Sequence, residues 1–323
     1  MSEDNNVRRG MKPKTIRKVL GKLLENWLET IEDKTLLEQI KGNTIVTGGS
    51  IASMLMGEPI NDFDIYFRNK ETTAAVAKYY VERFKPGVTN GIPCKMHVEV
   101  AEDRVRVVIK SAGIASENET DEAYKYFEGR PAEGSEAFVG EVMSDPGDIE
   151  DRYEETEELA LQAKDDDKPK FRPVFMSTNA ITLSHRIQII LRFFGDADTI
   201  HTNFDFVHCT SYWTSWNDTL TLRPAALECL LTRELRYVGS KYPICSIIRL
   251  RKFIKRGWVI NAGQILKMAM QISELDLKNI TVLQDQLTGV DAAYFVQLIS
   301  QLKEKDPEKA NSAYLVEIID RMF

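Results

Sequence analysis

The chain has 323 residues, of which 43% are hydrophobic, and its formal net charge is −7. This length can build a sizeable core and predicts two subdomains. The acidic balance argues against a general nucleic-acid coat protein. Because no apolar run is long enough to cross a membrane and no signal peptide is recognisable, we expect a soluble, cytoplasmic protein without a membrane partner.

The four cysteines form no CxxC pair, which is typical of buried thiols in a reducing compartment. A zinc site could in principle combine Cys94 and His97 with His208 and Cys209. Ordinary packing explains these four residues better.

The N-terminal part predicts a flexible start followed by one long helix. Residues 1–14 are polar, and we expect them to be flexible. Apolar side chains then recur at helical spacing between positions 15 and 41, namely Ile16, Val19, Leu20, Leu23, Leu24, Trp27, Leu28 and Ile31. Gly42 and Asn43 predict the end of this amphipathic helix.

Residues 44–67 read TIVTGGSIASMLMGEPINDFDIYF and predict a strand, a glycine turn, a helix and a second strand. The turn is Gly48-Gly49-Ser50. Glycines at a strand-to-helix junction leave backbone N–H groups uncovered, so a phosphate can approach them at the positive end of the helix dipole. The turn therefore predicts a phosphate site.

The second strand of this stretch carries two aspartates. Alternation along a strand puts Asp62 and Asp64 on one face and sends Phe63, Ile65 and Phe67 to the other. Carboxylates two residues apart are separated by roughly 6 to 7 Å, which suits two divalent ions about 3.5 to 4 Å apart. Hard oxygen ligands beside a phosphate favour Mg²⁺, with Mn²⁺ as a substitute.

At these residues the chain resembles the DNA polymerase beta superfamily of nucleotidyltransferases, which combines a glycine-serine turn with an aspartate-x-aspartate strand. The resemblance implies an α/β (α+β) fold with a mixed sheet flanked by helices. It also implies a nucleoside triphosphate as substrate and two Mg²⁺ ions on Asp62 and Asp64. Gly48, Gly49 and Ser50 would bind the triphosphate.

After this motif the pattern continues with a helix over residues 71–84 and a hairpin of 95–100 and 105–109. Alternating helices and strands argue for an α/β layer. From residue 111 to 170 the chain becomes rich in Glu, Asp, Gly and Pro, which predicts a partly disordered acidic insert. A solvated loop is its simplest interpretation; a flap over the site or a mimic of a nucleic-acid backbone is the alternative.

Beyond the insert, apolar runs over 177–183 and 186–193 predict strands, a short helix follows to His201, and residues 203–209 predict another strand. The resemblance implies a third carboxylate on a later strand beside the first two, and Asp205 fits that position. Glu99, Asp196 and Asp198 are the alternatives. We prefer Asp205 because the two runs before it must first complete the sheet.

The run from 177 to 209 is also similar to a virus and mobile-element subset of the superfamily, in which a basic stretch follows the core. Arg249, Lys252 and Arg256 match that stretch. They fall at helical spacing and share one face, which suits a triphosphate or an acceptor backbone. Arg251 and Lys255 lie outside this row. The alternative interpretation is therefore a diffuse basic surface and not a single pocket.

Three regions follow from these patterns: a flexible N-terminus (1–14), a nucleotidyltransferase core (15–258) interrupted by the insert, and a helical subdomain (259–323). The expected reaction moves a nucleoside monophosphate from the triphosphate to an acceptor hydroxyl and releases pyrophosphate. An RNA 3′ end, a protein and a second nucleotide remain open as acceptors. A catalytically degenerate fold, kept as a binding module or assembly component, is the alternative.

Overall fold

The computed structural model describes residues 10–84, 88–89, 92–93, 95–110 and 170–277, together with positions 279, 282 and 286. The strands of this part are β1 Thr44–Thr47, β2 Phe63–Phe67, β3 Val88–Thr89, β4 Ile92–Pro93, β5 Lys95–Val100, β6 Val105–Lys110, β7 Pro173–Met176, β8 Ala180–Leu183, β9 Ile187–Ile190, β10 Tyr212–Thr214, β11 Thr219–Thr221, β12 Glu234–Leu235 and β13 Val259–Ile260. The α-helices are α1 Pro13–Leu28, α2 Lys34–Asn43, α3 Gly49–Met56, α4 Lys70–Arg83, α5 Ala197–His201, α6 Pro224–Thr232, α7 Pro243–Lys255 and α8 Ala262–Ser273.

Seven strands form the central sheet, in the order β11-β10-β1-β2-β9-β8-β7. β2 and β9 run parallel, and the other neighbouring pairs run antiparallel. β5 and β6 form the predicted hairpin, which packs on α4. The predicted α/β fold with a mixed sheet flanked by helices is confirmed.

The N-terminal region contains two helices where one was predicted. α1 begins at Pro13, a residue whose fixed φ suits a first turn. The chain leaves the helix after Leu28 and re-enters at Lys34, because the Asp33 side chain accepts hydrogen bonds from the backbone N–H groups of Thr35 and Leu36. Apolar spacing alone does not reveal this break, because buried residues of both helices, such as Ile16 and Ile40, belong to one core.

The two faces of the sheet have different neighbours. Phe63, Ile65 and Phe67 of β2 are buried in the main core with apolar residues of α1, α2 and α4. Tyr66, on the opposite face, belongs to a smaller cluster with Ile200 and other residues. Strand alternation therefore points the odd-numbered apolar residues of β2 into the main core and leaves the even-numbered face for the aspartates.

The prediction of a strand over residues 203–209 beside β2 is wrong. Residues Val207–Cys209 form a single 3-10 turn, and Phe206 makes only an isolated bridge with Tyr237. A strand has two edges, and both edges of β2 are already occupied, by β1 and β9. The neighbouring place beside β1 goes to β10, three residues further along the chain.

Parts of the predicted organisation lie outside the described residues: positions 1–9, most of the acidic insert (111–169) and nearly all of the chain after 277. Cys94 is also outside them. The division into core and helical subdomain stays a prediction, although α8 begins where the apolar spacing indicated a helix. None of the helices in the described part is long and apolar enough to cross a membrane.

Candidate nucleotidyltransferase site

The glycine turn and the second aspartate are in direct contact. Gly48 follows β1 with φ of +98°, a conformation that side chains disfavour. A Cβ atom placed on Gly48 would lie 2.5 Å from Asp64 Oδ2. Pairing of Thr47 with Asp64 across β1 and β2 produces this contact, and the Gly48 N–H donates to the Cys209 carbonyl at 3.1 Å. The two halves of the predicted motif therefore meet at one point.

The first turn of α3 follows directly. Gly49 is the first residue of this eight-residue helix and is exposed, and a Cβ atom there would meet nothing within 4 Å. The Ser50 hydroxyl is buried and has no hydrogen-bond partner among the described residues. Such a buried hydroxyl at a helix N-terminus is suited to donate a hydrogen bond to a bound anion.

Asp62 and Asp64 lie at the start of β2. Asp62 immediately precedes the strand and Asp64 is its second residue, and both are half-buried. Phe63, between them, is only 8% exposed and belongs to the main core. The predicted opposition of acidic and apolar side chains is thus confirmed at this point.

Asp205 is buried, at 6% exposure, and forms an ion pair with Arg249 of α7 through its Oδ2 atom. Its Oδ1 atom has no hydrogen-bond partner within the described part of the chain. The Asp205 carbonyl accepts from the Val238 N–H at 2.8 Å, which fixes the backbone. Asp205 therefore stands on a short segment paired with residues 236–238 and not on a strand of the central sheet.

The Cys209 thiol shows that these charged groups share one neighbourhood. Burial raises its pKa well above the usual range, and the negative charges of Asp64 and Asp205 raise it further. Arg249 and Arg256 act in the opposite direction. Since such charge effects fade with distance, two acids and two arginines lie in the neighbourhood of this thiol.

The predicted basic row lies at the end of α7. Arg249 and Lys252 are half-buried within the helix, and Arg256 is the exposed residue that follows it. The pairing with Asp205 and the effect on Cys209 tie Arg249 and Arg256 to the site. Lys252 lies between them on the helix.

The three carboxylates do not converge as a ready metal centre. Among the described residues, no three or more His, Cys, Asp or Glu side chains are close enough to hold one metal ion. Asp62 and Asp64 nevertheless provide the hard oxygen donors that Mg²⁺ prefers, and the buried Asp205 Oδ1 atom has no hydrogen-bond partner among the residues that the structure describes. The donor set fits a magnesium ion, with Asp205 as a candidate third ligand held by Arg249.

The three competing acids have other partners. Glu99, on the hairpin, pairs with Arg106, whose hydrogen bond lowers the pKa of the Glu99 carboxyl. Asp196 caps α5 by accepting from the Thr199 N–H at 2.7 Å. Asp198 pairs with Arg223. Each is accounted for by local structure.

Two neighbours of the site were not predicted. Gln188 of β9 is the register partner of Asp64 on its other side. Its signal in the sequence is a single amide inside the apolar run IQII. His201 is buried, and its Nε2 atom lies 2.8 Å from the hydroxyl of Thr47, the residue before the glycine turn. A histidine 154 positions away from Thr47 gives no local signal of this contact.

Comparison with known proteins identifies a protein family and a relative encoded by a phage. A protein-family model described as "Gabija anti-defense 2 family protein" matches residues 18–233 of the chain. A curated relative, "Gabija anti-defense 2" of Bacillus phage SPbetaL7, is 24% identical over 123 residues, which are 38% of this chain and 31% of the relative. The match thus spans less than a third of that protein's length.

Among solved structures, the Thermotoga maritima CCA-adding enzyme complexed with tRNA aligns with a TM-score of 0.38 and 13% identity, covering 93% of this chain and 54% of the enzyme. The Bacillus stearothermophilus CCA-adding enzyme in complex with CTP aligns with a TM-score of 0.35 and 14% identity, covering 91% and 53%. The family match, in contrast, extends over about two thirds of the chain, from α1 to the end of α6. The chain therefore belongs to the Gabija anti-defense 2 family.

Proposed function

We propose that the chain is a metal-dependent nucleotidyltransferase of the DNA polymerase beta superfamily. It would move a nucleoside monophosphate from a nucleoside triphosphate to an acceptor hydroxyl and release pyrophosphate. The carrying observation is the contact of the Asp64 carboxylate with the Gly48 turn. The pairing of β1 with β2 thus puts the glycine turn and an acidic side chain at one place, where a triphosphate and its metal ions would meet.

Each residue has a specific task in this proposal. The N–H groups at Gly49 and Ser50, with the Ser50 hydroxyl, bind the β- and γ-phosphates at the start of α3. Asp62 and Asp64 hold the divalent ions, and Asp205 orients the attacking hydroxyl or accepts its proton. Bound Mg²⁺ ions would supply charge neutralisation at the entering and leaving oxygens.

The basic residues of α7 complete the charge balance. A triphosphate brings several negative charges to a place that already holds two or three carboxylates, so cations are needed nearby. Arg249 and Arg256 influence the same thiol as Asp64 and Asp205, which puts them within range of that charge. Arginine forks bind phosphate oxygens in pairs of hydrogen bonds, and Lys252 adds a point charge between them.

The family name bears on the acceptor. Because the family counters a defence, a component of that defence is a suitable acceptor. A bulky, charged nucleotide attached to a hydroxyl of such a component would inactivate the component. This favours a protein or nucleic acid of the defence over a free nucleotide.

The test is to incubate the purified chain with each α-labelled nucleoside triphosphate and Mg²⁺. Parallel reactions receive no acceptor, total RNA, or an extract of cells that carry the defence. Pyrophosphate release and mass analysis of every labelled species identify the base and the acceptor. Asp62→Asn/Asp64→Asn protein is the control. Equal labelling by wild type and control would contradict the proposal.

A binding module without catalysis is the second candidate. The observation in its favour is that Asp205 is engaged by Arg249 and that the described acids form no group of three. Such a module needs the nucleotide pocket but not the carboxylate pair. If Asp62→Asn/Asp64→Asn protein still blocks the defence in cells, binding and not transfer carries the function.

A further inference from the structure

The turn between β8 and β9 contains two neighbouring non-glycine residues with positive φ: His185 at +69° and Arg186 at +64°. This left-handed conformation is sparsely populated by residues that carry a Cβ atom, and glycine or asparagine normally supplies it. Strain of this kind persists where the surrounding structure fixes it, often at functional sites.

Arg186 contacts the chain on both sides of Asp62. Its Nη1 atom donates a hydrogen bond to the Ile60 carbonyl. Its own carbonyl accepts from the Phe63 N–H at 2.7 Å. The next residue, Ile187, then pairs with Phe63 in the parallel β2–β9 ladder. Arg186 therefore forms hydrogen bonds with the backbone two residues before Asp62 and one residue after it.

The side chain of Arg186 restrains the linker before Asp62, which a glycine at this position could not do. Residues 57–62 link α3 to β2 without regular secondary structure. The N–H groups of Gly57 and Glu58 still bond back to carbonyls of α3, so it is the part of the linker nearer to Asp62 that lies beyond the helix bonds. At the far end of this linker, Glu58 pairs with Arg233 at 2.9 Å. The Arg186 hydrogen bond to Ile60 restrains the end nearer to Asp62.

We propose that Arg186 is a positioning residue for the Asp62 carboxylate. This inference rests on the proposed function, because it takes Asp62 as a ligand of a divalent cation. A ligand preceded by an unrestrained linker would lose geometry and affinity, and residues that orient metal ligands typically matter by roughly ten- to hundredfold in metal affinity. The left-handed backbone at Arg186 aims its carbonyl at Phe63 while its guanidinium reaches Ile60.

The test measures Mn²⁺ binding to the full chain by electron paramagnetic resonance, without nucleotide or turnover. Arg186→Gly keeps the backbone conformation and removes the guanidinium. His185→Gly is the matched control, since it makes the same change one residue earlier and leaves the Ile60 bond intact. Arg186→Lys retains a donor of similar reach and provides a second variant should the glycine variant fold poorly.

We expect Arg186→Gly to weaken Mn²⁺ binding roughly tenfold or more, Arg186→Lys to restore part of it, and His185→Gly to bind like wild type. The thermal midpoint of Arg186→Gly should stay within roughly a few degrees of wild type, because relief of the left-handed strain offsets the lost hydrogen bond. A purely structural role would lower the midpoint and leave the affinity of the folded protein unchanged.

Two results overturn the inference, and they distinguish its failure from that of the proposed function. If Asp62→Asn abolishes Mn²⁺ binding but Arg186→Gly and Arg186→Lys both bind like wild type, Arg186 does not position Asp62 and the proposed function stands. If wild type shows no Mn²⁺ binding that Asp62→Asn removes, the metal site itself fails and the inference fails with it.

Discussion

Gly48 and Asp64 occupy space that only a glycine permits: a Cβ atom at Gly48 would come within 2.5 Å of the Asp64 carboxylate oxygen. Gly48→Ala should therefore push Asp64 from its place and strain a backbone at φ of +98°. We expect a loss of roughly 1 to 3 kcal/mol in the free energy of unfolding, with loss of Mn²⁺ binding. Chemical denaturation and metal titration measure the two effects.

Gly49→Ala is the control for this prediction. Gly49 is the next residue, it begins α3, and a Cβ atom there meets nothing within 4 Å. Alanine at this position should leave stability and Mn²⁺ binding near wild type. Equal damage from both substitutions would mean that the turn tolerates no side chain for a reason other than the Asp64 contact.

The carboxylate pair gives a second prediction. Asp62→Asn/Asp64→Asn should lower pyrophosphate release by about a hundredfold or more, because the charge stabilisation of the reaction is lost. In metal-free buffer the thermal midpoint should equal or exceed that of wild type, since neighbouring carboxylates repel each other. Full pyrophosphate release by the double variant would exclude both residues as metal ligands.

Asp205 gives the third prediction. Asp205→Asn should reduce turnover by roughly a hundredfold, the scale of a lost positioned base, and alter nucleotide affinity much less. Glu99→Gln is the control, since Glu99 pairs with Arg106 on the exposed hairpin and should contribute little. The opposite ranking in a turnover assay would move the third acid to Glu99.

The partner of Asp205 makes a fourth prediction. Arg249→Gln leaves a buried carboxylate without its counter-charge and should cost roughly 3 kcal/mol of unfolding free energy; the Arg249 side chain is 26% exposed, which keeps this at the low end for a broken buried pair. Adding Asp205→Asn should recover much of the loss. A double-mutant cycle by denaturation measures the coupling, and additive losses would mean that the ion pair contributes nothing.

The motif could be predicted from the sequence because its parts are local. Strand β1, the glycine turn, α3 and β2 lie within 24 consecutive positions, where apolar spacing and glycines fix each element. Parity alone then predicts which face of β2 carries Asp64. The break between α1 and α2 was missed because its signal is one capping residue, Asp33.

The surroundings of Asp205 could not be predicted, because they depend on pairings between distant parts of the chain. Whether a segment joins a sheet depends on which strand edges are already occupied, and no local pattern records that β9 and β1 flank β2. The ion pair with Arg249 joins residues 44 positions apart. The sequence indicated both residues as site members but not that they bind each other.

The last prediction concerns pH and His201. Burial lowers the pKa of His201 to about 4, with the Arg223 charge acting in the same direction and Asp198 against it. In the unfolded chain this histidine takes up its proton near its ordinary pKa of about 6.5. Folding stability from His201 is therefore fully present above about pH 6.5 and is lost as the pH falls toward 4, with a slope of at most about 1.4 kcal/mol per pH unit.

His201→Gln should remove the contribution of His201 to the loss of unfolding free energy at low pH, because glutamine cannot titrate. Glutamine can still form a hydrogen bond with the Thr47 hydroxyl. Unfolding free energies measured between pH 7 and pH 4 should fall less steeply in this variant than in wild type, whatever the offset at pH 7. His185→Gln, which alters an exposed histidine, is the control and should keep the wild-type slope.

Since Thr47 precedes Gly48, protonation of His201 would also disturb the turn. Mn²⁺ binding should therefore weaken over the same pH range more in wild type than in His201→Gln. Identical slopes for His201→Gln and wild type would mean that His201 is not a buried neutral histidine supporting the turn.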